Sequence, residues 1–447
     1  MKMKKLLLIL IAPLSFSFAT FAQETSTTDT LAKTLESIKS DLEQLKKIKL
    51  SGYLQPQFQA TDSSGAPSYA GGAFPSNTDK RFMMRRARIK LVYEGNWSQY
   101  VFQIDAVEGN GFSVKDIYAK FTEPWLKTFS LTMGIMNRPF GYEIGMSSSL
   151  RESPERGRMS QIIFPNERDM GAMLTIQAPK TSPLNIIKLE AGMFNGSSSA
   201  AKEFDYYKDF IGHLTVSKAL ASEKVKITVG GSYYNGGLGN FKSTNGKVYV
   251  YSMGSLANGL KGFVPDSTSN NGTASVSKRE YFGFDAQISI DNPIGLTILR
   301  GEFITGNQPG IVGSTAAYPN PSGITSPVAP LAANTYTRNF NGAYFYLVQN
   351  VWTTKWQVIL KYDWFDPNTK VEGTDIGAKD ANTSTGTNLT TSDIKFTTVG
   401  LGLAYRWDNN VKITGYYDLV TNENTKLVGY TQDLKDNVFT FRVQYKF

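Results

Sequence analysis

The sequence predicts an all-β chain: a transmembrane antiparallel β-barrel of about 16 strands, preceded by a short N-terminal amphipathic or coiled-coil helix on the periplasmic side. Three observations lead there. In residues 437–447, Phe439, Phe441, Val443, Tyr445 and Phe447 share one parity, while Thr440, Arg442, Gln444 and Lys446 share the other. Such a strand has one apolar and one wet face. The same alternation recurs along the chain, yet a mean hydropathy of −0.26 leaves no apolar surplus for a buried core, as expected where half of each strand faces water. Finally, short and long gaps alternate between the strand-like segments, the rhythm of tight periplasmic turns and long outer loops.

Residues 1–22 carry Lys2, Lys4 and Lys5, then an apolar run from Leu6 broken by Pro13, then small residues before Gln23. That is the pattern of a secretory signal peptide. Nothing later approaches the eighteen or so consecutive apolar residues of a membrane helix. The absence of cysteine excludes a disulfide scaffold, a thiolate zinc site and a cysteine nucleophile. The formal charge is +9, three units of which sit on the leading lysines. A modest positive balance suits either a pore biased toward anions or a surface near anionic lipid.

Residues 23–49 read as a polar linker and a helix. Leu31, Leu35, Ile38, Leu42, Leu45 and Ile48 recur at spacings of four and three, with Lys33, Glu36, Lys39, Asp41, Glu43 and Lys46 between them, which makes a narrow apolar seam. A helix this short is marginal alone. It either self-associates, as would suit a trimer, or docks on the barrel floor.

Residues 50–447 hold the barrel. Its short gaps fall at 95–97, 123–126, 179–183, 220–223, 292–293, 351–353 and 408–409; longer ones fall at 61–80, 138–167, 236–278, 307–337 and 367–393. The strands repeat the parity of the last one: Trp356, Val358, Leu360, Tyr362 and Trp364 oppose Gln357, Lys361 and Asp363, with aromatics collecting at the segment ends.

Charge concentrates between Phe82 and Arg168. Arg86, Arg88 and Lys90 fall on the pore parity at steps of about 7 Å and need water or carboxylates. A turn centred near Gly95 and Asn96 sets Arg86 opposite Asp105 and Arg88 opposite Gln103, and Asp116 and Lys120 follow on the next strand. These six residues either line an ion path or brace the wall as a charge network. Arg85, on the lipid parity near the outer end, is expected to reach lipopolysaccharide phosphates or a neighbouring subunit. The 138–167 stretch carries Arg138, Glu143, Arg151, Glu152, Glu155, Arg156 and Arg158. It either folds inward as a constriction, where facing charges select by size and dipole, or lies outside as a loop ordered by ion pairs.

Across strands of clear parity, Arg86, Arg88, Lys90, Lys120, Lys188, Lys361, Arg406, Lys412, Arg442 and Lys446 outnumber Asp105, Asp116, Glu190, Asp285, Asp363 and Asp418. The excess predicts a weak anion preference. Catalysis finds little support, since the single histidine, His213, sits on a pore-facing parity without an evident nucleophile. No cofactor loop, metal-spaced cluster or nucleic-acid-reading helix stands out. The competing class is a structural or adhesive barrel whose long Gly-, Ser-, Asn- and Pro-rich loops are its working surface.

The run Arg85-Arg86-Ala87-Arg88, then Gln103-Ile104-Asp105, Asp116-Ile117-Tyr118, residues 134–143 (GIMNRPFGYE), Ser153-Pro154-Glu155-Arg156 and Met193-Phe194-Asn195-Gly196 together resemble the phosphate-selective porin O and P family. The chain also ends on an aromatic, as bacterial outer-membrane barrels do. The resemblance implies a homotrimer of sixteen-stranded channels in outer-membrane lipid, each narrowed by inward loops and passing small hydrophilic or anionic solutes by diffusion. Arg86 and Arg88 match that family's arginine-bearing strand. Its constriction lysines have no counterpart, because residues 138–167 contain no lysine.

Overall fold

A computed structural model describes residues 27–107, 111–198, 203, 205–220, 222–241, 249–267, 274–313 and 334–447. The expected signal peptide, residues 23–26 of the linker, and Pro319, Pro321, Pro327 and Pro330 of the 307–337 loop lie outside them.

The chain divides into residues 1–48 and 49–447. The first unit holds α1 (Thr27–Leu45), along which Leu35, Ile38, Leu42 and Leu45 are all exposed. Ile48, expected at the end of the helical seam, instead opens the first strand.

The second unit is a closed antiparallel barrel of sixteen strands. In chain order the strands are β1 (Ile48–Thr61), β2 (Lys80–Glu94), β3 (Ser98–Val107), β4 (Gly111–Thr122), β5 (Phe129–Asn137), β6 (Arg168–Gln177), β7 (Ile187–Phe194), β8 (Asp209–Leu220), β9 (Val225–Phe241), β10 (Val250–Ser255), β11 (Lys261–Pro265), β12 (Ala274–Asn292), β13 (Gly295–Gly310), β14 (Thr335–Asn350), β15 (Trp356–Asp366), β16 (Phe396–Arg406), β17 (Val411–Asn422) and β18 (Val438–Lys446). β10 and β11 stand outside the wall as a hairpin inside the β9–β12 connection, with β10 running parallel to the start of β14. The circuit closes because β1 pairs with both β2 and β18, and β9 with β12. Closure leaves no edge whose backbone groups would face lipid unpaired.

The connections alternate as the sequence rhythm predicts. Short turns such as 95–97 and 293–294 gather at one end, and the long segments 62–79, 138–167 and 367–395 at the other.

The wall is apolar outside and polar inside. On β18, Phe441 is 43% exposed and the adjacent Arg442 only 4%, the inverse of a soluble sheet and what a lipid-facing barrel requires. The final residue is tied in as well: Phe447 and Gly52 exchange backbone hydrogen bonds of 3.0 and 3.1 Å. Gly52 is needed there, because a Cβ would meet the Phe447 ring at 2.5 Å.

One register differs from expectation. Glu94 pairs with Gln99, so the turn centres one position later, and Arg88, not Arg86, lies opposite Asp105, with Lys90 opposite Gln103. Arg86 therefore stands beyond the paired end of β3, and its partner must come from elsewhere.

Candidate functional site

That partner is the 138–167 segment. It leaves β5 at Arg138, whose guanidinium donates to the Asn166 carbonyl and lies 5.0 Å from the Phe164 ring, so the two ends of the loop are tied together. The chain then turns through Gly141 at φ +58°, where a Cβ would overlap the Glu302 carboxylate. Glycine lets that carboxylate accept from the backbone N–H groups of Tyr142 (3.2 Å) and Glu143 (3.0 Å), while Tyr344 Oη donates to it at 2.8 Å.

Farther along, Gln55 of β1 donates to the Ser148 carbonyl (3.1 Å), Lys412 of β17 to the Arg151 carbonyl (2.9 Å), and Gln444 of β18 to the Ser149 carbonyl (3.1 Å). Arg300 of β13 forks both terminal nitrogens onto Glu152 at 2.9 and 3.1 Å. A segment bonded to β1, β13, β17 and β18 of a closed barrel lies within its interior.

Glu155 is the central anchor. Arg85 binds it through Nε (2.9 Å) and Nη2 (3.0 Å), Arg86 through Nη2 (2.7 Å) and Nη1 (3.1 Å), and Arg442 through Nη2 (2.8 Å). Against the cost of burial, these three guanidiniums hold its carboxyl well below the ordinary carboxylate range. Arg85, expected to point at lipid headgroups or a neighbouring subunit, is thus turned toward the loop.

Glu167 does similar work at the other end of the loop. It accepts from Arg156 (3.1 Å) and Arg168 (2.8 Å), and Arg168 continues to Asp116 at 2.6 Å. Burial opposes its ionisation, but Arg156, Arg168 and Arg88 hold it well below the usual range. Arg88 itself pairs with Asp105 at 2.8 Å.

The remaining loop residues pack rather than pair. Glu143 accepts the Gly157 N–H at the start of α2 (Arg158–Ile163), and Arg158 stacks 3.7 Å from the Phe396 ring centre. Phe140, Ile144, Met159, Ile162, Ile163 and Phe164 are buried against Phe194, Ile211, Tyr234, Tyr281, Ile304, Phe340, Tyr344 and Ile359, which project inward from the wall. An apolar plug thus fills part of an interior that the sequence reading leaves wholly wet. Its signal was faint: on the inward parity of β15, Ile359 and Phe365 are the apolar residues beside Gln357, Lys361 and Asp363.

An open space lies between the loop and the wall made by β1 to β6 and β18. It is a cavity of about 290 Å³ lined by Arg88, Lys90, Arg156, Arg168 and Lys446 against Asp116 and Glu167. Of the six wall residues singled out from sequence, Arg86, Arg88, Asp105 and Asp116 are buried in ion pairs. Lys90 borders this cavity, and Lys120 sits apart, beside Gly95 and Trp97 at the short-turn end.

His213 meets Asp285 across the wall at 2.8 Å. Among the described residues no group of three or more histidine or acidic side chains is arranged to hold a metal.

No family model matches the chain, and no curated protein matches it. Solved structures do. The outer membrane channel DcaP of Acinetobacter baumannii superposes with a TM-score of 0.50 at 11% identity, over 90% of this chain and 97% of that one. The anion-selective porin from Comamonas acidovorans gives 0.49 at 9% identity over 90% and 99%. OmpF of Salmonella typhi gives 0.47 at 12% identity over 90% and 97%. The likeness to DcaP is one of fold, the closed barrel itself.

Proposed function

We propose that the chain is an outer-membrane porin, a passive diffusion channel for small hydrophilic solutes with a preference for anions. The observation that carries the reading is the balance of unpaired charge on the inward parity. Among the described residues of the wall tally, Lys90, Lys120, Arg406, Lys412 and Lys446 make no ion pair, whereas Asp105, Asp116, Glu190 and Asp363 each pair with a lysine or arginine, Asp285 meets the His213 imidazole, and Asp418 makes no ion pair. Paired charges cancel locally, so the field in the lumen is set by the cations left over. In this reading the 138–167 loop is the constriction, Arg86, Arg88, Asp105 and Asp116 brace it, and Lys90 faces the permeating solute. Phosphate is among the small anions to be tried, although no lysine stands in the loop.

The outward apolar belt seats the barrel in outer-membrane lipid, residues 1–22 direct export, and the exposed seam of α1 suits a periplasmic coil that joins three copies. Planar-bilayer conductance of the purified protein tests the reading: discrete channel steps with an anion-sided reversal potential support it, and cation selectivity refutes it.

A second reading, a structural or adhesive barrel without an open pore, draws on the apolar plug, which closes part of the interior. Folded protein that gives no conductance would favour it.

A further inference from the structure

Among the described loop arginines, Arg151 has all three guanidinium nitrogens buried without a hydrogen-bond partner, whereas Arg158 stacks on Tyr69 and Phe396. Arg151 is 3% exposed. None of the carboxylates near it bonds to it: Glu152 is held by both terminal nitrogens of Arg300, Glu155 by Arg85, Arg86 and Arg442, and Glu143 accepts from the Gly157 N–H and the Tyr346 hydroxyl.

Arg151 lines a small cavity between the loop strap 148–154 and the wall, together with Lys412, Arg442 and the hydroxyl-bearing Ser148, Ser153 and Thr414. Lys412 donates to the Arg151 carbonyl and makes no ion pair among the described residues. Arg442 shares its charge with a carboxylate that two other arginines also hold. Three cationic residues therefore line one space where, among the described residues, the one lining carboxylate, Glu152, is engaged by Arg300.

The space is about 10 Å³ for the centre of a water-sized sphere, room for a single small particle. A water there would leave the converging charge uncompensated, and a buried charge without a counter-charge is strongly disfavoured. A tetrahedral oxyanion is too large. We propose that Arg151, Lys412 and Arg442 hold one resident inorganic anion of the halide class, which bridges the loop to β17 and β18.

Burial, with Arg156 and Arg86 nearby, pushes the Arg151 guanidinium down to about 9. It is still charged at neutral pH, so the need for a counter-ion persists. The site differs in kind from the permeation path: the anion stays and fastens the loop. The inference stands on loop packing and survives even if the barrel conducts nothing.

The test is anomalous diffraction at the bromine edge from detergent-purified full-length protein crystallised in sodium bromide, with Arg151→Gln and Lys412→Gln alongside. A peak within about 3.5 Å of the Arg151 guanidinium nitrogens is expected in the wild type, lost in Arg151→Gln and weakened in Lys412→Gln. A wild-type cavity without the peak overturns the proposal, as does a peak that persists unchanged in both variants. Thermal denaturation of the wild type keeps the proposal falsifiable should either variant fail to fold. The midpoint should be higher in sodium chloride than in sodium gluconate, whose anion cannot enter; equal midpoints at matched ionic strength count against the site.

Discussion

At the scale of single residues, Glu155 decides whether the loop stays inside. Replacing it with glutamine removes the one charge facing Arg85, Arg86 and Arg442. Breaking a buried pair by deleting one partner costs about 3–5 kcal/mol, so Glu155→Gln is expected to lower the thermal midpoint and raise single-channel conductance. Unchanged conductance would mean that the loop holds without its clamp. The same group fixes a pH dependence. Because the folded-state pKa of Glu155 is depressed, its stabilising contribution is complete above the unfolded carboxylate value of about 4.3 and is lost only as pH falls through the lower, folded value. Glu167 behaves alike. The part of any pH response that Glu155→Gln abolishes should therefore appear only below about pH 4.3; a Glu155-dependent transition near pH 6 would contradict the clamp. Lys90 and Lys446, unpaired and bordering the cavity, set the sign of selectivity in this account. The double substitution Lys90→Glu and Lys446→Glu should move the reversal potential toward cations, and an unmoved potential would place the path elsewhere.

At the scale of elements, the loop and its apolar bed form one packing unit. Phe164, 1% exposed, lies 5.2 Å from Phe140 and 6.0 Å from Tyr281 between ring centroids. Phe164→Ala should cost about 3–5 kcal/mol through lost burial and a residual cavity. Loop fluctuation should follow, read as flickering of the open-channel current, and a quiet channel of native stability would contradict the plug. Strand identity was legible beforehand because outward residues meet a uniform solvent, lipid, and so alternate cleanly. The inward set was harder to read. Tyr234 and Tyr281 count as ordinary wall residues until it is known that Phe140 and Phe164 arrive from far along the chain to pack on them. The β2–β3 register was missed by two residues, because a turn shifted by one position moves each cross-strand partner by two. That shift is also why the partnership of Arg86 with Glu155 could not be anticipated, and why Arg85 reads from parity alone as a lipid-facing residue.

At the scale of the whole molecule, the barrel closes because its first strand meets its last, and the Phe447–Gly52 bonds seal the seam. The exterior is apolar, and the interior holds an ion-paired network beside an apolar plug with the 138–167 loop folded in; the proposed channel uses all three. Assembly rests on α1 in this account: removing residues 24–47 should dissolve the trimer while leaving each barrel folded, by size in detergent, and an unchanged oligomer would take the helix out of that role. The central claim is an anion-preferring aqueous path past the 138–167 loop. Its most direct test is the zero-current potential of the reconstituted wild-type protein in a potassium chloride gradient across a planar bilayer. The account predicts discrete channels with a potential of the sign set by chloride permeation. A potential of the opposite sign, or folded barrels that pass no current, would contradict it.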